Sequence, residues 1–79
     1  LNLLHVFAAV HQHRSVSRAA EGLKLSQPAA SHALTRLRLL LHDPLFVRAP
    51  GGVKPTPKAE RLAPQVIAAL QLLDAALQE

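Results

Sequence analysis

Residues 26–32, Ser-Gln-Pro-Ala-Ala-Ser-His, gather short hydrogen-bonding groups within two helical turns. The Gln27 amide offers a donor and an acceptor side by side. The Ser26 and Ser31 hydroxyls do both, and His32 does one or the other at each ring nitrogen. Such a set can make directed hydrogen bonds to another polar edge. It contains no nucleophile paired with a base, so the chemistry on offer is recognition.

Other chemistries find less support. There is no Gly-rich phosphate loop, no carboxylate pair and no nucleophile motif, so no catalytic residue, enzyme activity or cofactor is expected. His11 and His13 are two apart and do not share a helix face, and no carboxylate is near them in sequence, so no metal site is expected. Cysteine is absent, which excludes disulfides and thiolate sites and fits a reducing, cytoplasmic setting. No apolar run nears the roughly 18 residues of a membrane span, and no signal-peptide pattern is present. Methionine is absent as well, which suggests a processed chain or an excised fragment.

The elements that must hold residues 26–32 can be read from periodicity. With 79 residues, 49% hydrophobic but only 3% aromatic, the chain suits one small helical domain with a core of Leu, Ala and Val. A chain this short buries only about 60% of its unfolded surface. Leu3, Leu4, Phe7 and Val10 mark a first helix over 2–13, with Asn2 as its cap. Ser15 or Ser17 caps a second helix of about 17–24, with Ala19, Ala20 and Leu23 facing inward and Gly22–Leu25 closing it. Ser26 opens a third over 27–41, with Pro28 in its first turn where the missing N–H costs nothing. Ala30, Leu34, Leu37 and Leu41 form its inner stripe, and it ends before Pro44. Residues 45–48 and 53–56 then read as a hairpin around Ala49-Pro50-Gly51-Gly52. Thr56-Pro57 starts a last helix that runs to the C-terminus. In it Ala63, Val66, Leu70, Leu73 and Leu77 form a seam spaced 3, 4, 3, 4, while Leu62, Ile67 and Leu72 are expected to rest on the body.

Charge sharpens the picture. All nine Lys and Arg lie between Arg14 and Arg61, opposed there by Glu21, Asp43 and Glu60, a net +6 for that segment; the rest carries only Asp74 and Glu79. A basic body suits an acidic partner such as nucleic acid. Two helices joined by a few residues, with small Ala19 and Ala20 at their contact, make helix-turn-helix geometry, in which the second helix enters the DNA major groove tip first. Short side chains let that tip approach the bases. Gln27 can bond an adenine edge, Pro28 and Ala29 can meet a thymine methyl, and Ser31 and His32 project to the same side. Arg36 and Arg38 suit backbone phosphates, as does the N-terminus capped by Ser26.

The stretch "SVSRAAEGLKLSQPAASHALTRLR", followed by "DPLFVR" and "PTPKAERLAP", resembles the N-terminal DNA-binding domain of LysR-type transcriptional regulators over nearly the whole chain. The resemblance implies a mainly α fold: a winged helix-turn-helix domain (1–56; three helices plus a small β-hairpin wing) and a long dimerisation helix (57–79). It implies base contacts from Gln27, Pro28 and Ser31 with His32 beside them, and phosphate contacts from Ser15, Ser17 and Arg18. Arg48 and the wing, about Gly51–Lys54, would approach the flanking backbone and minor groove. A small-molecule effector would bind only in a C-terminal domain absent from these residues. The commoner family pattern has an acidic residue at position 38 and Gly in place of His42-Asp43.

These readings predict a bacterial transcription factor that binds a pseudo-palindromic duplex operator as a homodimer joined through Ala63, Val66, Leu70, Leu73 and Leu77, a seam that a lone chain would leave largely wet. Affinity is expected to come mainly from phosphate contacts by Arg18, Lys24, Arg36, Arg48, Lys54 and Lys58. Two rivals stand beside this: a winged-helix module for protein–protein contact, and a membrane-surface peptide. The second is weakened because the apolar tail is not the basic part.

Overall fold

The computed structural model describes residues 2–78. Four helices and one hairpin follow in the order α1 (Asn2–His13), α2 (Val16–Leu23), α3 (Gln27–Leu41), β1 (Phe46–Ala49), β2 (Gly52–Pro55) and α4 (Pro57–Leu77). Asn2 is already the first residue of α1; its expected capping role concerns a side chain outside those described.

Local chemistry sets the helix ends. The hydroxyls of Ser15, Ser26 and Thr56 each accept from a backbone N–H three residues on, that of Arg18, Ala29 and Ala59, all at 3.2 Å. Ser15 is therefore the α2 cap, and Ser17 lies inside the helix. The α2 terminus falls within the expected closing segment: Gly22 stays helical, and Lys24 takes the left-handed conformation (φ 59°). The N–H of Leu25 bonds Ala20 O at 2.9 Å and that of Lys24 bonds Glu21 O at 3.1 Å, the paired bonds of a Schellman motif. Arg14 and His42 end α1 and α3 in the same left-handed region. The commoner glycine at the α3 end is thus replaced by a residue that bears the backbone strain.

The core is one cluster. Val6, Phe7 and Val10 of α1 meet Ala19 and Ala20 of α2, and Ala30, Ala33, Leu34 and Leu37 of α3. Leu45, Phe46, Ala59 and Ala63 complete it. Phe7 and Phe46 lie with ring centroids 5.5 Å apart, tilted by 50°. Burying each large side chain contributes roughly 1.5–3 kcal/mol. The alanines let α2 and α3 approach closely, as their spacing predicts.

The wing is antiparallel, with Phe46 opposite Pro55 and Ala49 opposite Gly52, so its strands run one residue off those expected. Pro50 and Gly51 (φ 81°) form the turn. Gly52 is required by close approach: a Cβ there would collide with Arg14 O. The next N–H, that of Val53, bonds the same oxygen at 3.0 Å and pins the wing to the α1–α2 turn. At the wing root Leu45 has φ 66°, and Phe46 N bonds Pro44 O at 2.7 Å across it. This is a γ-turn of the strained, positive-φ kind, and it coincides with complete burial of the Leu45 side chain.

The last helix corrects the expected seam. Ala63 and Leu70 are buried within the monomer (2% and 7% exposed), and Val66 packs against the core. Leu62 rests on the body as expected, Ile67 borders a cleft against α1 at 39% exposure, and Leu72 faces solvent. Leu72 and Leu77 are each 75% exposed and Leu73 40%. The 3-4 spacing marks a stripe; α1 covers the upper part of it, and residues 71–78 run on exposed. Pro64 lies inside the helix on its exposed side, where the loss of one backbone bond leaves a carbonyl open to water.

Candidate nucleic-acid interface

The burial pattern of α3 separates two faces. Ala30, Ala33, Leu34 and Leu37 are buried, while Gln27, Pro28, Ala29, Ser31, His32, Thr35 and Arg36 are exposed. Residues four apart share a helix face, so Gln27, Ser31 and Thr35 form one row and Pro28 and His32 the next. The Thr35 hydroxyl donates to Ser31 O at 3.1 Å, which holds it against the helix. Among the described residues, the side chains of Gln27, Ser31 and His32 make no hydrogen bond within the chain. Three polar side chains on two adjacent rows are thus exposed with nothing among the described residues to bond.

The expected phosphate-binding groups divide. Ser17, Arg18, Lys24, Arg36, Arg48 and Lys54 are exposed, and Ser15 is half-buried with its oxygen occupied by the cap. Arg48 pairs across the hairpin with Val53, and Lys54 with Val47. Paired residues share a face and successive ones alternate, so Arg48 and Lys54 leave opposite faces of the wing. Lys58 differs from these exposed cations. It is half-buried, and its ammonium donates to Leu41 O at 2.7 Å, at the open end of α3. Arg38 is likewise withdrawn, donating from Nε to Pro44 O at 2.9 Å. Lys58 thus takes a carbonyl at the helix end, and Arg38 shares the Pro44 oxygen with the Phe46 N–H.

Two carboxylates are drawn into the scaffold. Asp43 Oδ2 accepts from Thr56 Oγ1 at 2.7 Å and from Leu45 N at 2.9 Å. The Thr56 hydroxyl, the Leu45 N–H and the charges of Lys58 and Arg61 hold Asp43 below its ordinary value of 3.8. Glu60 Oε1 lies 2.8 Å from His11 Nε2, and that bond, with the charge of Arg14, holds Glu60 below 4.5. Sequence reasoning missed both carboxylates as structural groups. For Asp43 a signal existed: an Asp before Pro, where such a side chain commonly bonds a backbone N–H two residues on. For Glu60 none did, because its partner is 49 residues away.

No group of three metal-ligating side chains occurs among the described residues, nor is any described helix long and apolar enough to cross a membrane. A mostly apolar cleft lies between α1 and α4, lined by Ala8, His11, Ile67 and Leu70 among others. It involves none of the α3 tip.

A short helix pair with its second helix bare at the tip, braced by a hairpin wing, agrees with comparisons to known proteins. Residues 1–60 match the sequence model of the bacterial regulatory helix-turn-helix proteins of the lysR family. The chain belongs to the LysR family. It is 54% identical over 78 residues to the HTH-type transcriptional activator NahR of Pseudomonas putida, covering 99% of this chain and 26% of that protein. With the regulator LeuO of Escherichia coli K12 it shares 49% identity over 73 residues, covering 92% and 23%. These relatives are transcriptional regulators, not enzymes, and the chain spans about a quarter of their length. Among solved structures, a probable transcriptional regulator, PA0477 from Pseudomonas aeruginosa, superposes with a TM-score of 0.93 at 50% identity, over 96% of this chain and 26% of that one. The BenM DNA-binding domain in complex with its catB site 1 DNA superposes with a TM-score of 0.90 at 28% identity, over 98% and 86%. The winged helix-turn-helix fold read from the sequence is the fold of this LysR domain.

Proposed function

We propose that this domain binds duplex DNA sequence-specifically as part of a bacterial transcription regulator, with the α3 tip in the major groove. The observation that carries the reading is the patch of exposed, unbonded polar side chains at Gln27, Ser31 and His32, presented by α2 through a Schellman turn. Pro28 is compact enough beside them to meet a thymine methyl. Arg18, Lys24, Arg36, Arg48 and Lys54, with Ser15, Ser17 and the Ser26-capped N-terminus, supply phosphate contacts. The alternative of a protein–protein module is not favoured, because it leaves the tip's idle hydrogen-bonding groups and the basic body unexplained.

The dimer in this reading forms through the far part of α4, where Leu73 and Leu77 are joined by exposed Leu72 and Ile67. Ala63 and Leu70 drop out because the monomer already buries them; Val66 is half used. Two protomers then read half-sites about 10 base pairs or a multiple apart. A small-molecule effector bound by further residues, and a cytoplasmic location, belong to the same reading, supported by the length and regulator names of the relatives.

A salt titration tests it. If Arg18, Lys24, Arg36, Arg48 and Lys54 of each protomer all meet phosphates, the logarithm of affinity falls by about nine per tenfold rise in salt. Fewer contacts give a shallower slope, and a flat titration excludes a phosphate-driven interface. Selection from a random duplex pool tests specificity, since a module that only positions itself on phosphates enriches no sequence.

A further inference from the structure

The polar groups between α3 and α4 form a second cluster, at the opposite end of α3 from the tip. Asp43 receives Leu45 N and the Thr56 hydroxyl on one oxygen. That hydroxyl oxygen accepts from Ala59 N, and Thr56 N donates to Leu45 O at 2.8 Å. Lys58 ties the first turn of α4 to the end of α3, and Arg38 ties α3 to the intervening loop. A single carboxylate oxygen therefore joins the loop after α3, the root of the wing and the start of α4.

Near the junction the apolar part of the α4 contact is made by small side chains, with Leu62, Val66 and Leu70 following further along the helix. Its buried residues nearest this junction are Ala59 and Ala63, whose small surfaces set how closely the helix approaches. Apolar burial is non-directional, whereas hydrogen bonds weaken steeply as their angle opens. The lever is long: α4 has 21 residues. At 1.5 Å per residue, a turn of about 10° at its start displaces the far end by about 5 Å, more than the roughly 3.4 Å separating stacked base pairs.

We propose that Asp43 is a positioning residue: by clamping the start of α4 to the end of α3, it fixes the orientation of the dimerisation helix against the recognition helix, and so the half-site spacing that the dimer accepts. The inference rests on the dimeric reading above. The carboxylate is an ionised acceptor across the neutral range, since its hydrogen bonds hold it below its ordinary value.

The test uses the best sequence from the random pool, as a single half-site and as paired half-sites whose centres are moved one base pair at a time. Asp43→Asn should behave as the parent chain, because both bonds end on one oxygen that the amide carbonyl can replace. Asp43→Ala should keep single half-site affinity within about threefold, while its preference for the best spacing over one about two base pairs away falls from about tenfold to below about threefold. Thr56→Val, which cuts the link from its other side, should reproduce that flattening even if Asp43→Ala fails to fold. The proposal is overturned if Asp43→Ala and Thr56→Val keep the parent's spacing preference, if single and paired sites weaken together, or if Asp43→Asn flattens like Asp43→Ala. Failure of the underlying reading looks different: the parent chain itself then sediments as a monomer on DNA or ignores spacing.

Discussion

The two ends of α3 use the same kinds of residue to opposite ends. At the N-terminal tip, the side chains of Gln27, Ser31 and His32 are exposed and, among the described residues, hydrogen-bond nothing in the chain. At the far end of α3, Arg38, Asp43, Thr56 and Lys58 are half-buried and each holds a partner within 2.9 Å. A half-buried polar group without a partner costs free energy, so the junction satisfies its own. A solvated tip incurs no such cost and keeps its bonding capacity for a ligand. Polarity alone does not mark a binding site; polarity that the fold leaves unused does.

Four substitutions or conditions would break or sharpen this contrast. The largest effect is expected between the two ends, on the buried face. Leu34 is 1% exposed, and Leu34→Ala should lower unfolding free energy by about 2–5 kcal/mol, with DNA affinity falling only as the folded fraction falls. Denaturant titration beside binding measures both, and a binding loss larger than the loss of folded protein would mean that the core face also touches DNA.

Next comes Gln27→Ala. Its stability should stay within about 0.5 kcal/mol, while binding to the selected site weakens by about 1–3 kcal/mol and binding to random duplexes hardly changes. Equal losses on both duplexes would make Gln27 a positioning contact. Ser26→Ala straddles the contrast, since Ser26 is at the tip yet caps the helix at 3.2 Å. It should cost about 1 kcal/mol of stability, visible in thermal unfolding without DNA; an unchanged midpoint would show that the cap is dispensable.

The smallest effect is an acid limb. Asp43 and Glu60 titrate below their ordinary values of 3.8 and 4.5, so the unfolded chain takes up protons at higher pH than the folded one. Their contribution is complete above the ordinary values and disappears as pH falls through the lowered ones. Unfolding free energy should therefore decline on acidification below about pH 4.5, and Asp43→Asn should make that decline shallower. An unchanged slope in the variant would place the linkage elsewhere.

Much of the fold was legible in the residues because its causes are local. Serine and threonine caps, prolines at helix starts and the Pro50-Gly51 turn act within four residues of where they stand. Strand ends shifted by one residue because the Leu45 γ-turn is not a feature that strand propensity reports. The α2 end was placed within Gly22–Leu25, but that Lys24 and not Gly22 takes the left-handed conformation is set by the fold. The tip residues were legible for the same local reason: they follow a cap and lie opposite an apolar stripe.

By itself, the sequence determined the order of elements, the helix starts, the apolar stripe of α3 and the excess of positive charge, since each depends on neighbours along the chain. Only the tertiary structure decided which cations remain free, which part of the α4 stripe is already covered, and that Asp43 ties three elements together. Those outcomes depend on groups brought close across 13, 17 and 49 positions, where a carbonyl or carboxylate left unpaired by one element is matched by a donor from another, and no spacing along the chain records that match.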